Sequence, residues 1–586
     1  MNILIEPIYI GIIQAFISLI LLSGFLFVGR LINSKIFINY NNLLFDLLIS
    51  VIFLSQILKI FSYLNFFKET NFIFSGLLIS LGLFNLKYLF SKLKKNSFYI
   101  PKDIFELLLV FTLLTFFIIS ISPPSMADAL DYHYGVPLYL LNYNEVPSVY
   151  FWIHGALANN GEFINTLAIF LGSDNFGSLL QYFSLICFLV FLKGKVQSKK
   201  KLIFIYIFIL CSPTLLQLIS GPKFLLFPQI LTATAIFLIL DKKKIQTIDF
   251  IFICILLMGS SQFKLSFLLS GVVLGLVLFY KAFKINKINT IFSSILLFLF
   301  FLSPTIFWNY SQLVDFHFQN IFSSVPNEMI NSIQKYRENN YIFPFNLLIP
   351  SSLGKITTIL GFQFFILFLI FKRTKELNFL ISITLVVISL HYFLSLNISR
   401  IYYEFILWLA VGFYFTKDKN NDYLFYSQLI IPQMVIVLGI ASYFAIITLP
   451  SIFSNEYRDK FMSQNAYEYE SIKWVNKTLP KDAKVISDLR SVSLYKNEFI
   501  PTDWLKHNIP NNKLSEYLNI IQNKKFNFIV LKGTDNNKHK FHRCFKDKFA
   551  ESPEFIKSTR NPFNRNQKYS ISIFEFNHKN IKNCVK

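Results

Sequence analysis

Long apolar runs separated by short polar stretches fill the first three quarters of this chain, and the last quarter breaks the pattern. The runs are about 17 to 23 residues long, enough at ~1.5 Å rise per residue to cross a ~30 Å hydrocarbon core. They lack sustained period-two alternation, so helical spans are predicted rather than barrel strands. About fourteen spans are expected, starting near residues 7, 43, 71, 103, 176, 202, 223, 248, 264, 289, 357, 377, 401 and 426. The first has no basic leader and no small-residue cleavage site, and reads as a retained anchor. Residues 1–450 therefore form a membrane domain, interrupted by long loops at about 122–175 and 309–356. From about 455 the pattern turns to short alternating elements. Helices are predicted over 465–477 and 513–522, and strands over 483–487, 526–531 and 569–573, giving one small α/β domain over 455–586.

Composition agrees with the pattern. Of 586 residues, 54% are hydrophobic and 15% charged, and mean hydropathy is +0.50, the profile of a polytopic membrane protein. Seventy phenylalanines against twenty glycines predict lipid-facing aromatic bulk more than tight small-residue helix packing. The net charge of +23 does not point to nucleic acid, because basic residues gather in alternate loops: Lys92 to Lys95, Lys193 to Lys201, Lys242 to Lys244, Lys281 to Lys287, Lys372-Arg373 and Lys417 to Lys419. Those loops are assigned to the cytoplasm. The loops at 122–175, 219–223, 260–264, 309–356 and 396–400 then face outward, as do both termini. Cys187, Cys211 and Cys254 fall inside spans as small apolar fillers. Cys544 and Cys584 lie in the outward tail, either bridged or as two free thiols.

Candidate chemistry collects on the outward side. Asp128, Asp131 and His133 follow Pro123-Pro124, and ionisable groups beside a bilayer need water, a partner or a substrate. The spacing Ser125-Met-Ala-Asp128 also fits a helix capping box. Helical geometry puts Asp128, Asp131 and Tyr132 near one face and turns His133 elsewhere. Lys223, Lys264 and Arg400 stand at span ends on the same side, as snorkelling residues or as ligands for an anionic, lipid-borne substrate. Glu404, one turn after Arg400, is expected to pair with it. The first loop is rich in Tyr139, Tyr143, Tyr150, Trp152 and His154 and is predicted to form one or two interfacial helices along the membrane. Asp315, His317, Arg337 and Glu338 lie on the second loop, and the first two are further candidates for the site.

The motif Pro-Pro-x3-Asp128-Ala-Leu-x-Tyr132-His133, followed by Pro137 and a tyrosine-rich stretch, resembles the first outer loop of bacterial GT-C superfamily glycosyltransferases. The Lys264 region, the Ser-Arg400-x-Tyr402 start of a late span and Trp474 to Lys484 are similar to later parts of that superfamily. The resemblance implies a GT-C-like fold in a bacterial cytoplasmic membrane, with site and C-terminal domain extracytoplasmic. It implies sugar transfer from a polyprenyl-phosphate-linked donor to a lipid, glycan or protein acceptor in cell-envelope synthesis. Asp128 would be the general base, with Asp131, Tyr132, His133, Lys223, Lys264, Arg400 and Tyr402 binding substrate. No cofactor is required, although a divalent cation, Mg or Mn, could bridge Asp128 and phosphate. Two departures stand out: three spans precede the motif-bearing pair of spans where the superfamily usually has one, and Asp131 occupies a variable position. The rival readings are a lipid-linked sugar or polysaccharide transporter, which predicts mid-span charges and matched broken helices, and a noncatalytic assembly protein.

Overall fold

The computed structural model describes residues 4–93, 101, 103–144, 147, 152, 159–301, 304, 343–369, 374–394, 398–417, 420–502, 511–533, 542–558 and 568–581. Asp315, His317, Arg337, Glu338, Tyr150, His154 and Cys584 lie outside the described residues.

Helices build the membrane domain. α1 (Gly11–Lys35), α2 (Leu43–Tyr63) and α3 (Phe67–Leu93) form an N-terminal group, and α4 (Ile104–Ser120) leads to the double proline. After a π-helical turn at Ala129–His133 come α5 (Tyr134–Tyr143) and α6 (Asn160–Phe170). α7 (Phe176–Lys195), α8 (Lys199–Leu210), α9 (Leu215–Ile219), α10 (Leu226–Asp241), α11 (Thr247–Phe263), α12 (Leu268–Phe283) and α13 (Lys287–Phe301) follow. α14 (Lys375–Leu394), α15 (Ser399–Tyr414) and α16 (Asn420–Phe453) complete the bundle.

Among the described residues, seven helical segments are long and apolar enough to cross a bilayer, and four more are apolar but of 10–17 residues. The fourteen expected spans are thus established only as a helical membrane protein. One expectation is overturned. No continuous helix starts at 357: residues 353–358 and 362–365 are 3-10 turns on either side of Gly361, whose φ of 100° is a left-handed conformation that halts the run. The first loop also differs from expectation, because α5 and α6 are largely buried inside the protein instead of lying along a membrane surface. The glycine reading needs correction too. A Cβ on Gly29 would sit 1.7 Å from the Asp46 carbonyl oxygen, and one on Gly24 2.3 Å from that of Leu78, so α1 meets α2 and α3 at backbone contact distance. Phenylalanine bulk does face outward elsewhere, as at Phe72, Phe292 and Phe393.

α17 (Asn455–Asn465) and α18 (Tyr469–Thr478) carry the chain into the C-terminal domain. Its sheet has the order β2-β1-β3-β7-β4, built from β1 (Lys484–Ser487), β2 (Glu498–Pro501), β3 (Phe528–Lys532), β4 (Phe545–Glu551) and β7 (Ile571–Phe576). β5 (Phe555–Ile556) pairs with β6 (Lys568–Tyr569) in a separate ribbon. β1, β2 and β3 are parallel, while β7 runs antiparallel to β3 and β4. β1, β3 and β7 fall on the predicted strands, shifted by one or two residues, and α19 (Asn511–Lys524) on the predicted helix. β2 and β4 carry no alternation strong enough to be read in advance, with burial along β4 almost wholly exposed. Cys544 is disulfide-bonded, while Cys187, Cys211 and Cys254 are free.

Candidate functional site

The turn after Pro123-Pro124 packs beneath the C-terminal domain, and its two acids meet there. Asp128 starts the π-helical turn, and its side chain caps no helix N–H. Instead, Lys223 donates to its Oδ2 and Arg490 Nη2 donates to its Oδ1 at 2.6 Å. Three residues on, Asp131 Oδ2 accepts from Arg490 Nε at 3.0 Å and Oδ1 accepts from Trp152 Nε1 at 3.1 Å. Asp131 is 1% exposed, so it anchors Arg490 and Trp152 and is not open to a substrate.

Burial pushes the Asp128 carboxyl upward, but the Lys223, Arg490 and Arg400 charges together hold it well below the usual carboxylate range. Burial is also the main influence on Lys223, lowered to about 8 with Asp128 opposing and Arg400 adding to the fall. Lys264 is lowered by burial and by Arg400, against the pull of Glu162 and Asp128. The Lys264 ammonium stands 5.6 Å from the Tyr132 ring centroid, a cation–π distance. Neither Lys264 nor Arg400 makes a side-chain hydrogen bond or ion pair among the described residues. Arg400 enters the cluster through its charge, and its backbone carbonyl is held by Gln229 Nε2 at 2.6 Å.

His133 turns away from the two acids. Its Nδ1 pairs with Glu162 Oε1, while Glu162 Oε2 accepts the Asn159 backbone N–H at 2.6 Å in a capping box at the start of α6. Burial lowers the His133 pKa, with Glu162 opposing, and in the neutral ring Nδ1–H donates to the Glu162 carboxylate. Nε2 is buried and has no hydrogen-bond partner among the described residues. α2 lines this side: Asn160 Nδ2 donates to Ser55 Oγ and Gln56 Oε1, both at 3.1 Å, and Lys59 Nζ donates to Gln262 Oε1 at 3.1 Å. α2 is therefore part of the wall behind the site.

Tyr402 lies in an aromatic cluster with His391, Phe343 and Phe405, at centroid distances of 6.0, 5.8 and 5.8 Å. Glu404 does not pair with Arg400: it is fully buried and accepts from Thr232 and Ser270, tying α15 to α10 and α12. Buried hydroxyls on two neighbouring helices satisfy the carboxyl more closely than a span-end guanidinium.

Arg490, Glu162 and Lys59 were not singled out from the sequence. The Asn159-x-x-Glu162 spacing was the one available signal, as a capping box. Arg490 gave none, being one of many cations in a polar tail. The donor chemistry does not fit a divalent ion bridging from Asp128, because both carboxylate oxygens face cations, and no group of three or more His, Cys, Asp or Glu side chains suited to a metal occurs among the described residues.

Fold and site together define a helical membrane protein whose C-terminal α/β domain packs over a partly buried cluster of acids and cations. The chain belongs to the DUF1420 family, matching the DUF1420 N-terminal domain over residues 13–462 and the DUF1420 C-terminal domain over 463–586. No curated protein matches it.

Proposed function

We propose that this protein is a membrane glycosyltransferase that moves a sugar from a polyprenyl-phosphate-linked donor to an acceptor hydroxyl at the outer face of a bacterial cytoplasmic membrane. The observation that carries the reading is a carboxylate kept ionised among half-buried cations, two of which, Lys264 and Arg400, form no ion pair among the described residues. Surplus positive charge beside a base suits a reaction that needs a proton removed at one atom and negative charge stabilised at another.

In that reaction Asp128 takes the acceptor O–H proton as the oxygen attacks the anomeric carbon. The bond from that carbon to the phosphate oxygen breaks, and its electron pair leaves with the phosphate. Lys264 and Arg400, with Lys223, offset the charge that develops there. Attack opposite the leaving group inverts the anomeric configuration. Asp131 positions Arg490 and Trp152, and the Tyr132 ring holds Lys264 in place.

The test is transfer from labelled polyprenyl-phosphate sugars by membranes containing wild type or Asp128→Asn at matched expression. The expected loss in the variant is about 10²- to 10⁴-fold, the range for removing a general base. Undiminished transfer by a folded variant removes Asp128 from this role. No transfer by wild type from any donor, with phosphate-ester binding intact, turns the reading toward a lipid-linked sugar carrier.

A further inference from the structure

We propose that Arg490 is a phosphate-binding residue delivered to the membrane site by the C-terminal domain, and that a ligand phosphate displaces Asp128 from its Nη end. This rests on the lipid-phosphate half of the reading above and not on sugar transfer itself.

The loop that follows β1 is pinned before its side chain reaches across. Glu468, itself buried, accepts the Arg490 and Ser491 backbone N–H groups at 2.7 and 3.2 Å on Oε2 and Lys532 Nζ at 3.0 Å on Oε1. Ser493 Oγ donates to the Leu130 carbonyl, and the Tyr467 backbone N–H donates to the Ser125 carbonyl at 3.2 Å, so the domain grips the chain just before the π-helical turn and at its start. Arg490 spans the gap between the two domains. Its Nε end is anchored on Asp131, which is inaccessible, whereas its side chain is 39% exposed and its Nη2 bond goes to the more open Asp128. One end of the guanidinium is therefore fixed and the other can change partner.

Asp128 has Lys223 on one oxygen and Arg490 on the other, so an acceptor hydroxyl would have to share an oxygen with a cation, which weakens the carboxylate as a base. A phosphodiester donor carries one charge, as a carboxylate does, but its two non-bridging oxygens match the guanidinium fork, and the departing phosphate monoester gains further charge as the bond to the sugar breaks. Taking Arg490 Nη2 for itself, the donor frees Asp128 Oδ1 as the proton acceptor. Binding of donor and exposure of the base are then one event, and the C-terminal domain completes the site.

The full chain in detergent is titrated with farnesyl phosphate, with farnesol and inorganic phosphate as separate arms. Tight binding of the phosphate ester with weak binding of farnesol supports a phosphate-reading site, and inorganic phosphate competing alone at similar concentration identifies a free-phosphate site with the same chemistry. Arg490→Ala is expected to weaken the phosphate ester by about tenfold or more, and Arg490→Lys by less. Asp128→Asn is expected to tighten it, because the competing carboxylate is gone; a purely structural salt bridge predicts the opposite sign. Ser493→Ala, which removes a docking bond but no phosphate contact, is expected to bind as wild type. Unchanged binding in Arg490→Ala, weakened binding in Asp128→Asn, or a loss in Ser493→Ala equal to that in Arg490→Ala each overturns the proposal. Failure of wild type to bind any phosphate overturns this inference and the donor reading together, whereas binding without sugar transfer overturns only the reaction.

Discussion

Lys223 sets the pH dependence of the site. Burial lowers it to about 8, so it is charged at neutral pH and loses its proton as pH rises through that value. Asp128, held well below the carboxylate range, stays ionised throughout. Affinity for a phosphate ester is therefore expected to fall on the alkaline side of about pH 8, because a cation is lost while the carboxylate charge remains. Lys264, lowered in the same direction, adds to the fall. Lys223→Arg keeps its charge and is expected to move the loss to higher pH; titrations of farnesyl phosphate across that range check this. A flat profile in wild type removes Lys223 from the phosphate site. At this scale the motif made Asp128 legible, because few acids follow a double proline at the end of an apolar run. Its partners were not legible, since which cation meets a carboxylate depends on distant chain segments.

Helix packing depends on backbone contact at a few positions. Gly29 of α1 touches the α2 backbone at Asp46, so any side chain there must drive the two helices apart. Gly76 of α3 has nothing within 4 Å of an added Cβ. Gly29→Ala is expected to lower the melting temperature in detergent, while Gly76→Ala is neutral or gains about 0.5–1 kcal/mol from helix propensity. Equal effects would show that close approach is not what holds α1 to α2. Glu404 works at the same scale: it joins α15 to α10 and α12 through Thr232 and Ser270. Glu404→Ala leaves the buried Ser270 hydroxyl without its acceptor, while Thr232 keeps the Gln229 carbonyl, and is expected to destabilise the bundle by about 1–3 kcal/mol. A thermal-unfolding measurement reads this directly. Helix existence was readable from apolar runs, whereas their ends and the broken stretch around Gly361 depended on backbone geometry.

Across the whole molecule, Arg490 joins the two family domains, and a buried ion pair within the N-terminal one fixes the helix that leads into the C-terminal one. Arg458 of α17 pairs with Asp174 between α6 and α7, their side chains 2% and 1% exposed. The Asp174 backbone N–H donates to Gln14 Oε1 of α1 at 3.1 Å, and Tyr134 donates to the Asp174 carbonyl. The first helix, the first long loop and the start of the C-terminal region thus converge on one residue. Removing one partner of a buried pair leaves an uncompensated charge, at about 3–5 kcal/mol. Arg458→Ala is therefore expected to loosen the C-terminal domain and speed its release by limited proteolysis near the 462/463 boundary. Cleavage at the wild-type rate would mean that the remaining contacts hold the domain unaided.

Local pattern determined much of this protein: runs long enough for a bilayer, basic residues sorted into alternate loops, a polar α/β tail, and one acid-bearing motif at their junction. Those properties depend on residues close in sequence, where periodicity and composition act. The tertiary structure alone decided that Asp128 meets Arg490, 362 residues away, that His133 meets Glu162, 29 away, and that the Tyr402 ring packs against His391. A long-range ion pair leaves no periodic mark on the chain, because it follows from how whole helices and a folded domain pack together. The working chemistry of this site is set at that junction.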